Sequence, residues 1–323
     1  VDQNYMVLGL GRSGMASAGA LSASGANVIC WDDDVDKRSL ALSKGLRIQN
    51  TLSEFDWQSI DRLIISPGIP HYFPKPHPTI SAAVAAGVLI DNDVGLFFQS
   101  IATESWTNFS VRPKVVAVTG SNGKSTTASL LHYIFSTLGY KSQLAGNIGR
   151  GVLDIDPPGN GEIIILELSS YQIELARTLS PDIAIFTNFS ADHLERHGGL
   201  GGYLAAKRRL FAEGCPDYSV IGVDEMAGLN LAQQLSVSMG DESIIRVATK
   251  KLIREFGWSV SCENGQLLEY RKGRQTNSID LANYDNFVGR HSYQNAANAY
   301  AACRVLGLSP RKVIGAMKED LMG

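Results

Sequence analysis

Val118-Thr119-Gly120-Ser121-Asn122-Gly123-Lys124-Ser125-Thr126 sits between an apolar run, Lys114 to Thr119, and a segment of helical character, Ser125 to Leu138. A glycine turn between a buried strand and a helix aims backbone N–H groups and the positive end of the helix dipole at one point, which suits a phosphate. Lys124 is placed to neutralise the β and γ phosphates of a nucleoside triphosphate, and the Ser125 hydroxyl to ligate magnesium. The pattern GxxxxGK[ST] would want glycine where Val118 stands, so the match is to a shorter GxxGKS loop. The bland alternative is a strand-to-helix turn that happens to carry Gly and Lys. With strand, loop and helix all in order, nucleotide triphosphate binding is the stronger reading, and it predicts an α/β, P-loop ATPase-like domain.

Outward from the loop, strand and helix signals alternate: strands at Ile163 to Leu166, Ile183 to Thr187 and Tyr218 to Val223, with a helix at Tyr203 to Phe211. From about Ile244 to Ile279 apolar and polar residues alternate around Asn264-Gly265 and Lys272-Gly273, which predicts antiparallel hairpins appended to that sheet. His291 to Leu306 reads as a closing helix. Toward the N-terminus, Tyr5 to Leu8, a glycine turn, the Ala-rich Met15 to Ser24 and Ala26 to Trp31 form a βαβ pattern. Strand Leu63 to Ile65, helix Ile80 to Ala86 and strand Val88 to Ile90 extend it into a Rossmann-like parallel sheet. The rhythm dissolves between Ser100 and Pro113, so two domains are expected, residues 1–95 and 96–323.

The 323 residues are 44% hydrophobic and 19% charged, ample for two cores. A formal net charge of -3 argues against a broad nucleic-acid footprint, and no apolar run is long enough to cross a bilayer. Cys30, Cys215, Cys262 and Cys303 lie far apart without CxxC spacing, so neither a zinc ribbon nor a disulfide framework is indicated and a reducing cytosol is expected. The chain starts at Val1, which suggests a trimmed or processed fragment.

Glu167 ends the strand Ile163 to Leu166, where a sheet carboxylate would face a phosphate site and hold its metal; without the loop upstream, a solvated strand end would be preferred. His193 and His197 have the i,i+4 spacing of zinc sites, but Leu194 stands where HExxH needs glutamate. A histidine at a strand end beside phosphates is better read as a magnesium ligand or a loop residue. Gly9-Leu10-Gly11-Arg12-Ser13-Gly14 is a full GxGxxG, followed by Asp32 at the distance of a ribose-binding acid. Taken alone it predicts NAD, although the phosphates of any nucleotide suit the same helix N-terminus.

Together these segments resemble the Mur ligase family, ATP-dependent enzymes that form amide bonds on the cell-wall precursor. Gly9 to Gly14, Ser66-Pro67-Gly68-Ile69, Gly120 to Thr126, Gly146-Asn147-Ile148-Gly149, Glu167-Leu168-Ser169-Ser170-Tyr171-Gln172, Asp192-His193 and Tyr203-Leu204-Ala205-Ala206-Lys207 occur in family order across almost the whole chain. The Glu-Leu-Ser-Ser-aromatic-Gln segment is similar to that of the D-glutamate-adding branch. The resemblance implies UDP-N-acetylmuramoyl-L-alanine and D-glutamate as substrates, a monomer, and ATP with two magnesium ions. It implies that Gly11, Arg12, Ser13, Asp32, Asp33 and Gly68 cradle the uridine nucleotide, which displaces NAD, and that Asn147 holds the muramoyl part. Gly120, Ser121, Asn122, Gly123, Lys124, Ser125 and Thr126 would grip ATP. Ser125 and Glu167 would bind one magnesium; His193 and Lys207, carbamylated in the family, would serve a second. From sequence alone Lys207 would read as a solvated lysine beside Arg208 and Arg209. The family's His-Asn-x-x-Asn appears as His291-Ser292-Tyr293-Gln294-Asn295, so only Asn295 carries over toward adenine.

The implied mechanism is phosphoryl transfer from ATP to the alanyl carboxylate, then attack of an amine on the acyl phosphate. The family also implies a third domain that binds the amino acid, and the sequence stops at Gly323 where it would begin. These residues alone are therefore expected to bind the uridine substrate and ATP without forming the amide. Competing readings are an NAD-dependent oxidoreductase, which leaves Gly120 to Thr126 unexplained, a P-loop switch module, and a ligase for another amino acid.

Overall fold

In the computed structural model, which describes residues 3–49, 52, 55–103, 106, 108–192, 194–254, 257–282, 287 and 289–319, the strand and helix signals fold into two sheets. The first unit runs β1 (Asn4–Leu8), α1 (Arg12–Ala23), β2 (Asn27–Trp31), α2 (Val35–Ser43), β3 (Arg62–Ile65), α3 (Pro78–Ala85), β4 (Leu89–Asp91) and α4 (Asp93–Ile101). Its strands pair in parallel in the order β2-β1-β3-β4. The chain leaves β1 for β2 on one side and returns to β3 on the other, which opens a crevice beyond the strand ends between β1 and β3. The GxGxxG turn and Ser66-Pro67-Gly68 meet there. A Cβ on Gly14 would stand 1.7 Å from the Gly9 carbonyl oxygen, so only glycine lets α1 pack this close to the turn.

The second unit runs β5 (Lys114–Thr119), α5 (Lys124–Thr137), β6 (Ser142–Gly146), β7 (Ile163–Glu167), α6 (Ser170–Leu175), β8 (Ile183–Phe186), α7 (Leu194–His197), α8 (Leu200–Ala212), β9 (Tyr218–Gly222), α9 (Met226–Met239), β10 (Ile244–Ala248), β11 (Trp258–Glu263), β12 (Gln266–Arg271), β13 (Arg274–Asp280), α10 (Arg290–Val305) and α11 (Pro310–Glu319). Among the described residues its sheet is nine-stranded, in the order β13-β12-β11-β10-β9-β8-β5-β7-β6. The expected hairpins are present at β11-β12-β13, which pair antiparallel. One correction applies: β10 is parallel to both β9 and β11, so the parallel sheet extends further than the alternating pattern from Ile244 suggested.

Strand parity explains the layers. Val116 and Val118 pack with Leu131, Ile134 and Phe135 of α5 and Ala297 and Tyr300 of α10. Val115 and Ala117 face the opposite core, with Phe211 of α8 and Leu231 of α9. A strand buried on both faces must be apolar throughout, which is why β5 and β7 carry Val and Ile runs instead of alternation. Each such side chain contributes about 1.5–3 kcal/mol of burial.

Residue 95 falls inside α4, whose Asn92 cap accepts from the Gly95 N–H. Val94, Phe97, Phe98 and Ile101 of this helix enter a core of the second unit, while Leu96 packs against the first. A second junction gathers two imidazoles on one carboxylate. His71, in the loop after β3, and His197 of α7 each bring a ring nitrogen within 3.1 Å of one Glu174 oxygen on α6. His197 is thus engaged by Glu174 and, at 2.8 Å, by Ser170; His193 lies outside the described residues. Burial would raise the Glu174 carboxyl, but the two imidazoles outweigh it and hold it down at about 2.

Because this pKa is depressed from its ordinary 4.5, the junction's contribution is present above pH 4.5 and is lost as pH falls through about 2. Acid unfolding monitored by fluorescence should show a loss of stability in that window which Glu174→Gln shares only in part, the variant being already destabilised at pH 7. A different ion cluster ties β12 to α10: buried Glu269 accepts from Tyr300 at 2.7 Å and Arg304 at 3.1 Å. Glu269→Ala should cost about 3–5 kcal/mol in urea unfolding.

Candidate functional site

The P-loop lies where the second sheet switches direction: β5 leads to β6 and β7 on one side, and β7 crosses back to β8 on the other. Gly123 caps α5 with φ +77 and no side-chain cap, leaving the helix's first N–H groups to a ligand. A side chain at Gly123 would also strike Asn295 Oδ1 at 2.1 Å. Asn295 on α10 is therefore packed against the loop itself. Ser125 and Thr126 expose their side chains in the first turn of α5. Lys124 Nζ donates to the Ser121 carbonyl at 2.8 Å, and burial lowers its pKa against the pull of Glu167 and Asp192.

Asn188, which the sequence reading passed over, shapes the loop. Its Oδ1 accepts from the Asn122 N–H at 2.9 Å, and its Nδ2 donates to the Asn122 carbonyl at 3.1 Å and to Gln294 at 2.9 Å. Thr187 donates to the same carbonyl at 2.7 Å, and Ser121 Oγ donates to the Ser190 carbonyl. The signal was available: Thr187-Asn188 directly follows the strand next to β5, so it faces the same crevice. Beside the loop, Asn122, Asn188, Thr249, Arg290 and His291 line a small cavity of about 90 Å³.

Val118 pairs in register with Glu167, so the parallel ladder brings the carboxylate beside the P-loop strand. Glu167 is 1% exposed, not a solvated strand end; its Oε1 accepts from Asn147 Nδ2 at 3.3 Å, and its Oε2 has no hydrogen-bond partner among the described residues. Lys207 of α8 is equally buried. Its Nζ donates to the Gly120 carbonyl at 2.8 Å and stands 4.5 Å over the Tyr203 ring. Burial, reinforced by the neighbouring Lys124 charge, pushes its pKa down to about 7 against the attraction of Asp192. Among the described residues no group of three or more His, Cys, Asp or Glu is placed to hold a metal. A buried carboxylate oxygen without a partner beside the hydroxyl-bearing turn still fits a magnesium ion that takes its other ligands from hydroxyls, phosphates and water.

The first unit contributes a separate cavity of about 510 Å³ into which Gly11, Arg12, Ser13, Asp32, Asp33, Gly68 and Asn147 all project or border. Asp32 accepts from the Leu10 N–H at 2.6 Å and the Asp34 N–H at 2.9 Å, so the carboxylate braces the glycine turn. Asp33 lies 2.9 Å from His77, which with the Trp31 indole N–H holds its pKa below the usual carboxylate range. Arg12 turns toward the second unit, donating to the carbonyls of Asn147 at 2.8 Å, Gly149 at 3.0 Å and Gly146 at 3.4 Å. Asn147 therefore borders this cavity while its side chain touches Glu167. No helix among the described residues is long and apolar enough to cross a membrane.

Residues 118–303 match the Mur ligase middle domain. UDP-N-acetylmuramoylalanine--D-glutamate ligases from Cereibacter sphaeroides and Ruegeria pomeroyi are each 56% identical, over 96% and 98% of this chain and 67% and 68% of their own length. Among solved structures, a UDP-N-acetylmuramate:L-alanyl-gamma-D-glutamyl-meso-diaminopimelate ligase from Neisseria meningitides superposes with TM-score 0.59 at 16% identity, covering 98% of this chain and 97% of that one. The UDP-N-acetylmuramate-alanine ligase of Thermotoga maritima gives 0.54 at 20% identity, covering 98% and 68%. At those identities the structural likeness speaks for the fold, while the sequence relatives speak for kinship: the chain belongs to the Mur ligases, ATP-dependent enzymes that form amide bonds, and within them to the UDP-N-acetylmuramoylalanine--D-glutamate ligases.

Proposed function

We propose that residues of this chain support the addition of D-glutamate to UDP-N-acetylmuramoyl-L-alanine at the expense of ATP. The observation that carries this reading is Asn147, which borders the cavity of the first unit and bonds Glu167 beside the P-loop. A substrate whose uridine end sits in that cavity has its acyl end directed at the nucleotide. The division of labour follows, with a uridine-nucleotide unit up to about residue 95 and an ATP unit beyond it.

An oxygen of the alanyl carboxylate takes the γ-phosphoryl group, giving an acyl phosphate and ADP. The amine then attacks the acyl carbon, the C–O bond to phosphate breaks, and the amine proton leaves to solvent or a base. Phosphorylation is needed because a carboxylate is a poor acylating agent, and the anions must be neutralised as they approach. Lys124, with the α5 N–H groups, meets the phosphates; Ser125 and Glu167 would hold magnesium, which when bound supplies charge neutralisation at the phosphoryl oxygens. Asn295 and the cavity beside Asn188 and His291 lie on the adenine side of the loop. Lys207 is suited to carbamylation. Its amine, lowered to about 7, is largely neutral just above that pH and adds to CO2 to give a carbamate and a proton, turning a cation into an anion able to ligate a second magnesium with His193. Cytoplasmic location and monomeric state belong to the same reading.

Uridine substrate and ATP should each raise the melting temperature, and NAD should not; stabilisation by ATP without any by UDP-N-acetylmuramoyl-L-alanine would favour a P-loop switch module instead. Lys124→Ala should weaken ATP binding about 10- to 100-fold, the equivalent of lost charged hydrogen bonds, without weakening UDP binding. With ¹³C-bicarbonate, a carbamate resonance that Lys207→Arg abolishes should grow as pH rises through about 7, well below the range where exposed lysines lose their proton.

A further inference from the structure

The loop Gly146-Asn147-Ile148-Gly149 is closed at its base by the Gly146 N–H, which donates to the Arg150 carbonyl at 2.9 Å. Gly146 has φ +110 and Gly149 φ +66, so both ends occupy backbone regions open to glycine. Beyond that closing bond, the loop is held from either side. On one side the Asn147 N–H donates to the Glu167 carbonyl at 2.8 Å and its amide touches the Glu167 carboxylate. On the other, the guanidinium of Arg12 gathers three of the loop's carbonyls, those of Gly146, Asn147 and Gly149. Three carbonyl dipoles converge on one planar cation only when the loop holds a single shape. Arg12 is the first residue of α1, immediately after the glycine turn that borders the first-unit cavity. A continuous physical chain therefore runs from that cavity through Arg12 and Asn147 to the carboxylate beside the P-loop.

We propose that Arg12 is a positioning residue that couples the two nucleotide sites. A uridine nucleotide in the first-unit cavity orders Arg12, Arg12 orders the loop, and the loop sets Asn147 and Glu167, so the second nucleotide meets a site whose ordering cost is already met. The reverse holds by linkage, with the same factor. The proposal rests on the ligase reading above, which supplies the two ligands. It gives Arg12, beyond its contact with the uridine nucleotide, the task of passing that order to the loop.

The test is calorimetric titration of the 323-residue chain with a non-hydrolysable ATP analogue and magnesium, with and without saturating UDP. UDP should tighten the analogue about fivefold or more, and the analogue should tighten UDP by the same factor. In Arg12→Met and Asn147→Ala the factor should fall to about 1, and Arg12→Lys should restore part of it. Arg12 is exposed, so these variants should stay folded, with melting temperature as the check. A role in holding the fold alone would lower the melting temperature or both affinities and leave the ratio intact; that outcome overturns the proposal, as does a factor near 1 in the parent chain. Failure of the parent chain to bind either ligand would instead overturn the ligase reading and the coupling with it.

Discussion

Two amines and a carboxylate, Lys124, Lys207 and Glu167, converge on one glycine loop where little water reaches, and much of the architecture serves to make that tolerable. An ammonium group taken out of water loses solvation that only partners or deprotonation can replace. Lys124 and Lys207 take the carbonyls of Ser121 and Gly120, so the loop that offers N–H groups outward offers its carbonyls to the lysines. Lys207 goes further and releases its proton near neutral pH. The outward N–H groups of the loop and the Lys124 ammonium give the corner a character that suits a polyanion such as a triphosphate.

How much of this was legible in the sequence differs by residue. The P-loop and the GxGxxG turn could be read because their geometry is local: glycines between a strand and a helix mark the turn where they stand. Gly11 and Asp32 were legible as a nucleotide-binding turn in the same way, while Gly68, which borders the same cavity, was raised only by the family resemblance. Lys207 was not, because its burial is decided by which face of α8 meets the second sheet, and the neighbours Arg208 and Arg209 argue for solvent. Only the resemblance to a family raised it. Asn188 went unseen because its work is to brace another loop through amide geometry, which leaves no spacing signature. The parallel pairing of β10 was hidden for a related reason: pairing direction depends on the partner strand, and alternation of apolar residues does not report it.

Arg12 does something the motif does not show. The family resemblance implies a contact with the uridine nucleotide; the residue borders that cavity, and its side chain also reaches the other unit. A motif fixes where the backbone goes; a long side chain at its edge is free to answer to a neighbour more than a hundred residues away in sequence. His197 likewise answers to side chains outside its own helix: its ring is shared between Ser170 and Glu174.

The helix α4 carries a mechanical consequence. Its apolar face is sunk in the core of the second unit, and the capping residue Asn92, at the corner with β4, also donates to the Gln172 carbonyl at 2.8 Å. Asn92 acts as a bolt through both units. A shift of the β4 corner relative to α6 has to stretch that hydrogen bond, and α6 begins at Ser170, three residues after Glu167, so the two units meet within one helical turn of the buried carboxylate.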